Sequence, residues 1–332
     1  MSSDLRRKII YSLGFALLVY VGLALYSDWG DLRLALRDFP WAWLVPVIAL
    51  TLVNYIGRML RWHWYLRTLS VPIALRDSAR IFGVGMLMVM TPGKAGEFLK
   101  SYMVKNVTGT PMSVTAPVVL AERVTDAAAM VLLATVGLMT FPDRRTRIVA
   151  LAVFGGFLLF VGLVQSRPIA LWALDQGDRI PLVRRFVHLL RSFYESSYII
   201  FGPRNLAISL LVGMVCWAAE GAAYFIVLVG FGVDPSMSAL LSAVFIFTIS
   251  TVIGAVLALP GGLGGVEGSL VALSRRIFGL SAAVATGAAL LTRFCTLWLG
   301  VGIGVVSFLL WPELLAGADV AQEERAMAEV EV

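Results

Sequence analysis

One pattern of helix breakers occurs twice in this chain. Thr91-Pro92-Gly93-Lys94-Ala95-Gly96-Glu97 stands near the front, and Leu259-Pro260-Gly261-Gly262-Leu263-Gly264-Gly265-Val266-Glu267 near the back. In both copies a glycine follows the glutamate by 12 residues (Gly109, Gly279), and an arginine follows it by 26 (Arg123, Arg293). Long apolar runs flank each copy. Breakers, a carboxylate and a guanidinium are costly for a passive anchor inside membrane-length apolar sequence. Their recurrence at fixed spacing points to a site shared by two related halves.

The solvent follows from composition. With 59% hydrophobic and 14% charged residues in 332, and a mean hydropathy of +0.86, the chain carries more apolar surface than a soluble core can bury. An all-α polytopic membrane protein is the expected class. The net charge of +6 sits in short loops beside apolar spans, where topology and anionic headgroups explain it. No nucleic-acid partner is expected. Cys216 and Cys295 lie in apolar runs without a CxxC or a histidine nearby and read as core residues. His63 and His188 stand among Trp, Arg and Leu, so neither a metal site nor a cofactor site is expected.

Apolar runs at 9–26, 41–60, 114–139, 148–164, 206–231 and 282–310 give about six full spans. Arg6-Arg7-Lys8 place the N-terminus in the cytoplasm. Arg58, Arg61, Arg67, Arg76 and Arg80 mark the same side after the second span. The runs at 79–90 and 95–104, parted by Pro92-Gly93, are too short to cross twice and read as a re-entrant hairpin. Residues 239–259 and 266–277, parted by Pro260-Gly261-Gly262, form its counterpart, entering from the opposite face. The alternative is that 239–259 crosses completely. Arg144, Arg145, Arg147, Arg275 and Arg276 would fall on the outer, non-cytoplasmic side in this topology, against the usual charge bias. The expected organisation is one transmembrane domain over 1–312, with repeat one at about 41–140 and repeat two at about 205–310. A cytoplasmic amphipathic segment at about 167–204 links them, and a short cytoplasmic tail follows at 313–332. Such a protein belongs in a bacterial-type cell (inner) membrane with both termini cytoplasmic.

A Pro-Gly break starts a new half-helix whose free N–H groups, deep in a membrane, need an anion, a carboxylate or water. A phosphate satisfies them. Arg123 and Arg293 stay charged and bind phosphate oxygens through paired hydrogen bonds. Together with Glu97, Glu267, Lys94, Arg58 and Asp126 they form the expected substrate-binding set. Pro92, Gly93, Gly96, Pro260, Gly261, Gly262, Gly264 and Gly265 make the breaks. Two other readings stay open: each glutamate neutralises the arginine of its own repeat, and Asp126 serves as a structural partner of Arg123. Glu122 and Asp126 flank Arg123 as a local cluster. Glu220, isolated in an apolar run, is either paired or protonated and is the candidate for ion coupling. Gly300 and Gly304 have GxxxG spacing, from which no oligomer follows.

The two break motifs, the Glu122-Arg123-x-x-Asp126 pattern and Arg293 resemble the lysylphosphatidylglycerol synthase transmembrane family, the flippase-like module of multiple peptide resistance factor. The resemblance covers about 41–310. It implies a membrane protein that moves lipids, or polyprenyl-linked lipids, between leaflets. Only about 20 residues follow the last span, so the aminoacyl-transferase domain of the full synthase, and with it lysyl transfer, is not expected. Membrane lipids are the expected partners, with a separately encoded lipid-modifying enzyme as a further one. No GxxxxGK[ST] loop is present, so transport would draw on the lipid gradient or a coupled ion. The alternatives are a membrane-embedded transferase using a lipid-linked donor, for which the basic loops offer no acidic DxD-type cluster, and a scaffold for a partner enzyme.

Overall fold

The computed structural model describes residues 18–23, 25–91, 96–138 and 187–315, with positions 148, 151, 152, 155 and 156 between them. Every regular element among the described residues is helical. In chain order these are α1 (Trp29–Asp38), α2 (Leu44–Thr68), α3 (Leu75–Leu87), α4 (Leu99–Thr108), α5 (Met112–Leu138) and α6 (Val187–Ile200). Then follow α7 (Pro203–Gly230), α8 (Met237–Val256), α9 (Gly265–Phe278), α10 (Ala282–Arg293) and α11 (Leu299–Leu310). Among the described residues, four stretches are long and apolar enough to cross a membrane: Trp41–Thr68, Pro203–Gly230, Met237–Val256 and Ala282–Leu310. Helix α5 has the length as well, but it carries Glu122, Arg123 and Asp126.

Several boundaries differ from those read in the sequence. The second span does not stop near residue 60 but runs on to Thr68. The segment between the first two expected spans contains α1, whose N-cap Asp28 accepts a hydrogen bond from Gly30 N at 2.8 Å. Most of the expected spans at 9–26 and 148–164, the first part of the amphipathic segment and the tail beyond 315 lie outside the described residues, as do Pro92, Gly93 and Lys94. Helix α6 packs along α5, and the chain just after it buries Phe201 beside Trp62, Ile81 and Val118.

The equal spacings in the sequence become equal lengths of helix. From Glu97 the chain runs along α4 to Thr108, turns at Gly109 and comes back along α5 from Met112 to Arg123. From Glu267 it runs along α9 to Phe278, turns at Gly279 and comes back along α10 from Ala282 to Arg293. Each leg is about 16 Å at about 1.5 Å per residue, so each arginine returns to the level of its glutamate. Both turning glycines cap their helix in the left-handed region, at φ 74° and 66°, where a side chain is strained.

The arms of the two broken pairs are unequal. Helices α3, α4 and α9 have 13, 10 and 14 residues, too short to span a bilayer. Helix α8, with 20, reaches about 30 Å.

Small residues bring the helices close, as membrane packing requires. A Cβ on Gly57 of α2 would stand 2.5 Å from Cys216 Sγ of α7, and one on Gly221 of α7 would stand 2.9 Å from Val244 Cα of α8. One apolar core joins α5, α7, α8, α9 and α10. Another joins α2, α3, α4 and the start of α5. Between them Met88 and Met90, just ahead of the first break, pack against Leu263, Leu297 and Val301 near the second.

Candidate functional site

Beside the second break, a partly open cavity of about 330 Å³ lies between the cores. Its walls carry Arg58, Lys100, Arg123 and Arg293 against Glu97, Asp126 and Glu220. Both repeats therefore contribute guanidinium groups to one chamber. The second break supplies Gly261 and Gly262 to its wall.

The first repeat builds its side of the chamber around Asp126. This buried carboxylate accepts a hydrogen bond from Arg61 Nη2 at 2.5 Å; Arg123 Nη2 lies 3.3 Å away and Arg58 Nη2 3.7 Å away. Three guanidinium groups thus surround one carboxylate. Arg123 also holds Glu97, Nε to Oε2 at 3.3 Å. Arg61 is fully buried and further fixed by the carbonyl of Ser209. The side chains of Arg123 and Arg58, by contrast, are 25% and 19% exposed, so their free faces turn to the cavity. Trp217 lies 5.8 Å from the Arg58 guanidinium, close enough for a cation–π contact.

The second repeat is more nearly saturated. Arg293 Nε donates to Glu267 Oε1 at 2.7 Å, and its Nη2 donates to the Gly261 carbonyl. Glu267 Oε2 in turn accepts from Gly264 N at 2.7 Å, capping α9 with the reach of a capping box. Gly261, Gly262 and Gly264 all have positive φ, the backbone form that lets this loop fold back onto the arginine. Glu267 is wholly buried behind Arg293 and does not line the cavity. A π-turn, Phe294–Trp298, follows Arg293 and re-aims the span.

Glu122 does not join Arg123 and Asp126 in the local cluster suggested by its spacing. It accepts a hydrogen bond from the Lys100 ammonium of α4, which also lies 4.3 Å from the Trp62 ring centroid. Lys100 lines the cavity and Arg61 fixes Asp126 from behind, and sequence reasoning missed both. Lys100 falls in the short run 95–104 and is not singled out there, and Arg61 is read only as a cytoplasmic marker. The signal for Arg61 was present: Asn54, Arg58 and Arg61 recur at four and three residues, on one helix face. Asn54 is buried and donates to the Cys216 carbonyl at 3.0 Å. Glu220 lines the cavity from α7 and is 6% exposed.

Comparison with known proteins agrees with this architecture. Residues 9–304 match the family described as the lysylphosphatidylglycerol synthase TM region. Three relatives from Methanothermobacter thermautotrophicus, each described as a UPF0104 membrane protein, are similar along most of their length. One is 23% identical over 84% of this chain and 88% of its own. The others are 26% identical, over 88% and 91% of this chain and 91% and 93% of theirs. The chain is thus a multi-pass helical membrane protein and belongs to the lysylphosphatidylglycerol synthase transmembrane family.

Proposed function

We propose that the chain moves a phosphate-bearing lipid between the leaflets of a membrane, holding its headgroup in the central chamber. The observation that carries this reading is that arginines of both repeats line one cavity whose size suits a headgroup and not a whole lipid. Phospholipids, aminoacylated phospholipids and polyprenyl-linked lipids share the phosphate that Arg58 and Arg123 would grip. Asp126 stands between the two guanidinium groups where that phosphate would bind and offsets part of their charge. An arriving phosphate replaces its long contacts at 3.3 and 3.7 Å, while Arg61 retains the carboxylate.

The paired breaks form re-entrant hairpins of inverted repeats in this reading, and small movements of one half against the other alternate the opening of the chamber. Glu220 is the coupling carboxylate. The protein would sit in a bacterial-type cell (inner) membrane, termini in the cytoplasm, with a separately encoded lipid-modifying enzyme supplying its substrate.

The test is leaflet exchange of fluorescent phospholipids and polyprenyl-phosphate lipids in proteoliposomes. Wild type should accelerate exchange for one of these classes, and Arg123→Ala and Arg58→Ala, folded in detergent, should not. Equal exchange by wild type and both variants would defeat the proposal.

A further inference from the structure

A second cavity, about 400 Å³, opens on the outside of the bundle between α2, α3 and α11. Leu52, Ile56 and Met59 line it from α2, and Ile303 and Ser307 from α11, each set repeating along one helix face. Leu52 and Ile56 are exposed, so this face meets lipid in a membrane-spanning chain. At one end the groove changes character. Arg76 and Arg80 of α3 border it beside Trp311, with the Arg80 guanidinium 5.3 Å from the Trp311 ring centroid and 3.2 Å from Asp77 Oδ1. Guanidinium groups at one end and an apolar channel beyond match a lipid lying along the groove, its phosphate at the arginines and its chain among Leu52, Ile56 and Met59.

The groove adjoins the headgroup chamber. Tyr55, Phe82 and Met86 line both and form the partition between them. The mechanics of that partition are uneven. Helices α3 and α11 are clamped, because a Cβ on Gly304 would stand 2.4 Å from Leu87 N and one on Gly83 would stand 2.5 Å from Ser307 Oγ. Helix α2 rests on them through Tyr55, whose hydroxyl donates to the Thr296 carbonyl in the π-turn and lies over Gly300. Helix α2 is also tied to α3 further along, where His63 Nδ1 lies 2.9 Å from Ser78 Oγ, so the partition opens by a shift of the Tyr55 side chain and not of the whole helix.

We propose that this groove is a lateral portal for a diacyl phospholipid. The acyl chains stay in the groove, Arg76 and Arg80 receive the phosphate, and the headgroup passes the Tyr55 partition into the chamber. The assignment rests on the transport reading above and adds the route by which the lipid arrives.

Met59→Trp and Ile56→Trp fill the groove from its lipid-facing wall, and neither position lines the chamber. Two measurements are made: exchange of tail-labelled phosphatidylglycerol in vesicles, and binding of glycerol 3-phosphate, which has no chains, to the detergent-solubilised protein. The expected result is exchange lowered about tenfold by either tryptophan, with glycerol 3-phosphate affinity within about twofold of wild type. Arg123→Ala should lose both. Unchanged exchange in both tryptophan variants, with exchange lost in Arg123→Ala, overturns the portal and leaves the headgroup site standing. Loss of glycerol 3-phosphate binding in both tryptophan variants also overturns it, because the groove would then be part of the headgroup site. If wild type moves no labelled lipid, the transport reading fails and the portal falls with it.

Discussion

Arg293 and Glu267 meet at 2.7 Å after a separation of 26 residues, and Arg123 and Glu97 meet at 3.3 Å after the same separation. Equal lengths of helix on either side of a left-handed glycine bring each pair together. The two pairs nevertheless differ in use. The second is buried and tied into the glycine loop; the first faces the cavity.

That difference predicts a split between stability and function. Arg293→Ala leaves Glu267 charged, buried and unpaired, so it should lower stability in detergent by roughly 3–5 kcal/mol. Arg123→Ala should cost less, because part of its surroundings is already open to the cavity, yet abolish lipid exchange. Thermal unfolding followed alongside exchange checks both.

Arg123→Lys keeps the charge and loses the paired donors. Lipid exchange should fall by about tenfold while the protein stays folded. Full activity in the lysine variant would mean that charge alone suffices.

Much of this was legible in the sequence because a spacing can be counted. The breaks, the capping glycines and the recurrence of Glu and Arg identified the elements that meet, and Arg58, Asp126 and Glu220 were identified from charge in apolar runs. They converge on one chamber. Partners across helices were not legible, since a spacing does not say which neighbouring helix a side chain faces. Lys100 therefore went unassigned although it neutralises Glu122, and Arg61 was credited to a surface from which it is fully withdrawn. The unequal arms were legible only as the alternative that 239–259 crosses completely: α8 is membrane-length and its counterpart α3 is not.

The Lys100–Glu122 pair is buried and should behave as a unit. Lys100→Met or Glu122→Leu alone should destabilise by about 3–5 kcal/mol, and the double variant should recover most of that loss. Additive losses in a double-mutant cycle would contradict the pairing.

Asp126→Asn removes the carboxylate that two cavity arginines share. Binding of glycerol 3-phosphate should tighten about tenfold, while lipid exchange slows because the headgroup is released less readily. A weaker affinity in this variant would show that Asp126 orients the arginines without competing with the ligand.

Gly109 and Gly279 turn the two hairpins at positive φ with open space around them, so alanine there adds strain without a clash. Each substitution should cost about 1–2 kcal/mol in thermal unfolding.

The central claim is that a lipid phosphate occupies the chamber between the repeats. A photo-reactive benzophenone side chain placed at Ala127, which lines the chamber, tests it in native membranes, with the exposed Val306 as a control on bulk lipid. The account predicts a phospholipid adduct at Ala127 that disappears when Arg58 and Arg123 are both replaced by alanine, while the adduct at Val306 persists. An Ala127 adduct that is absent, or that ignores the loss of both arginines, would contradict it.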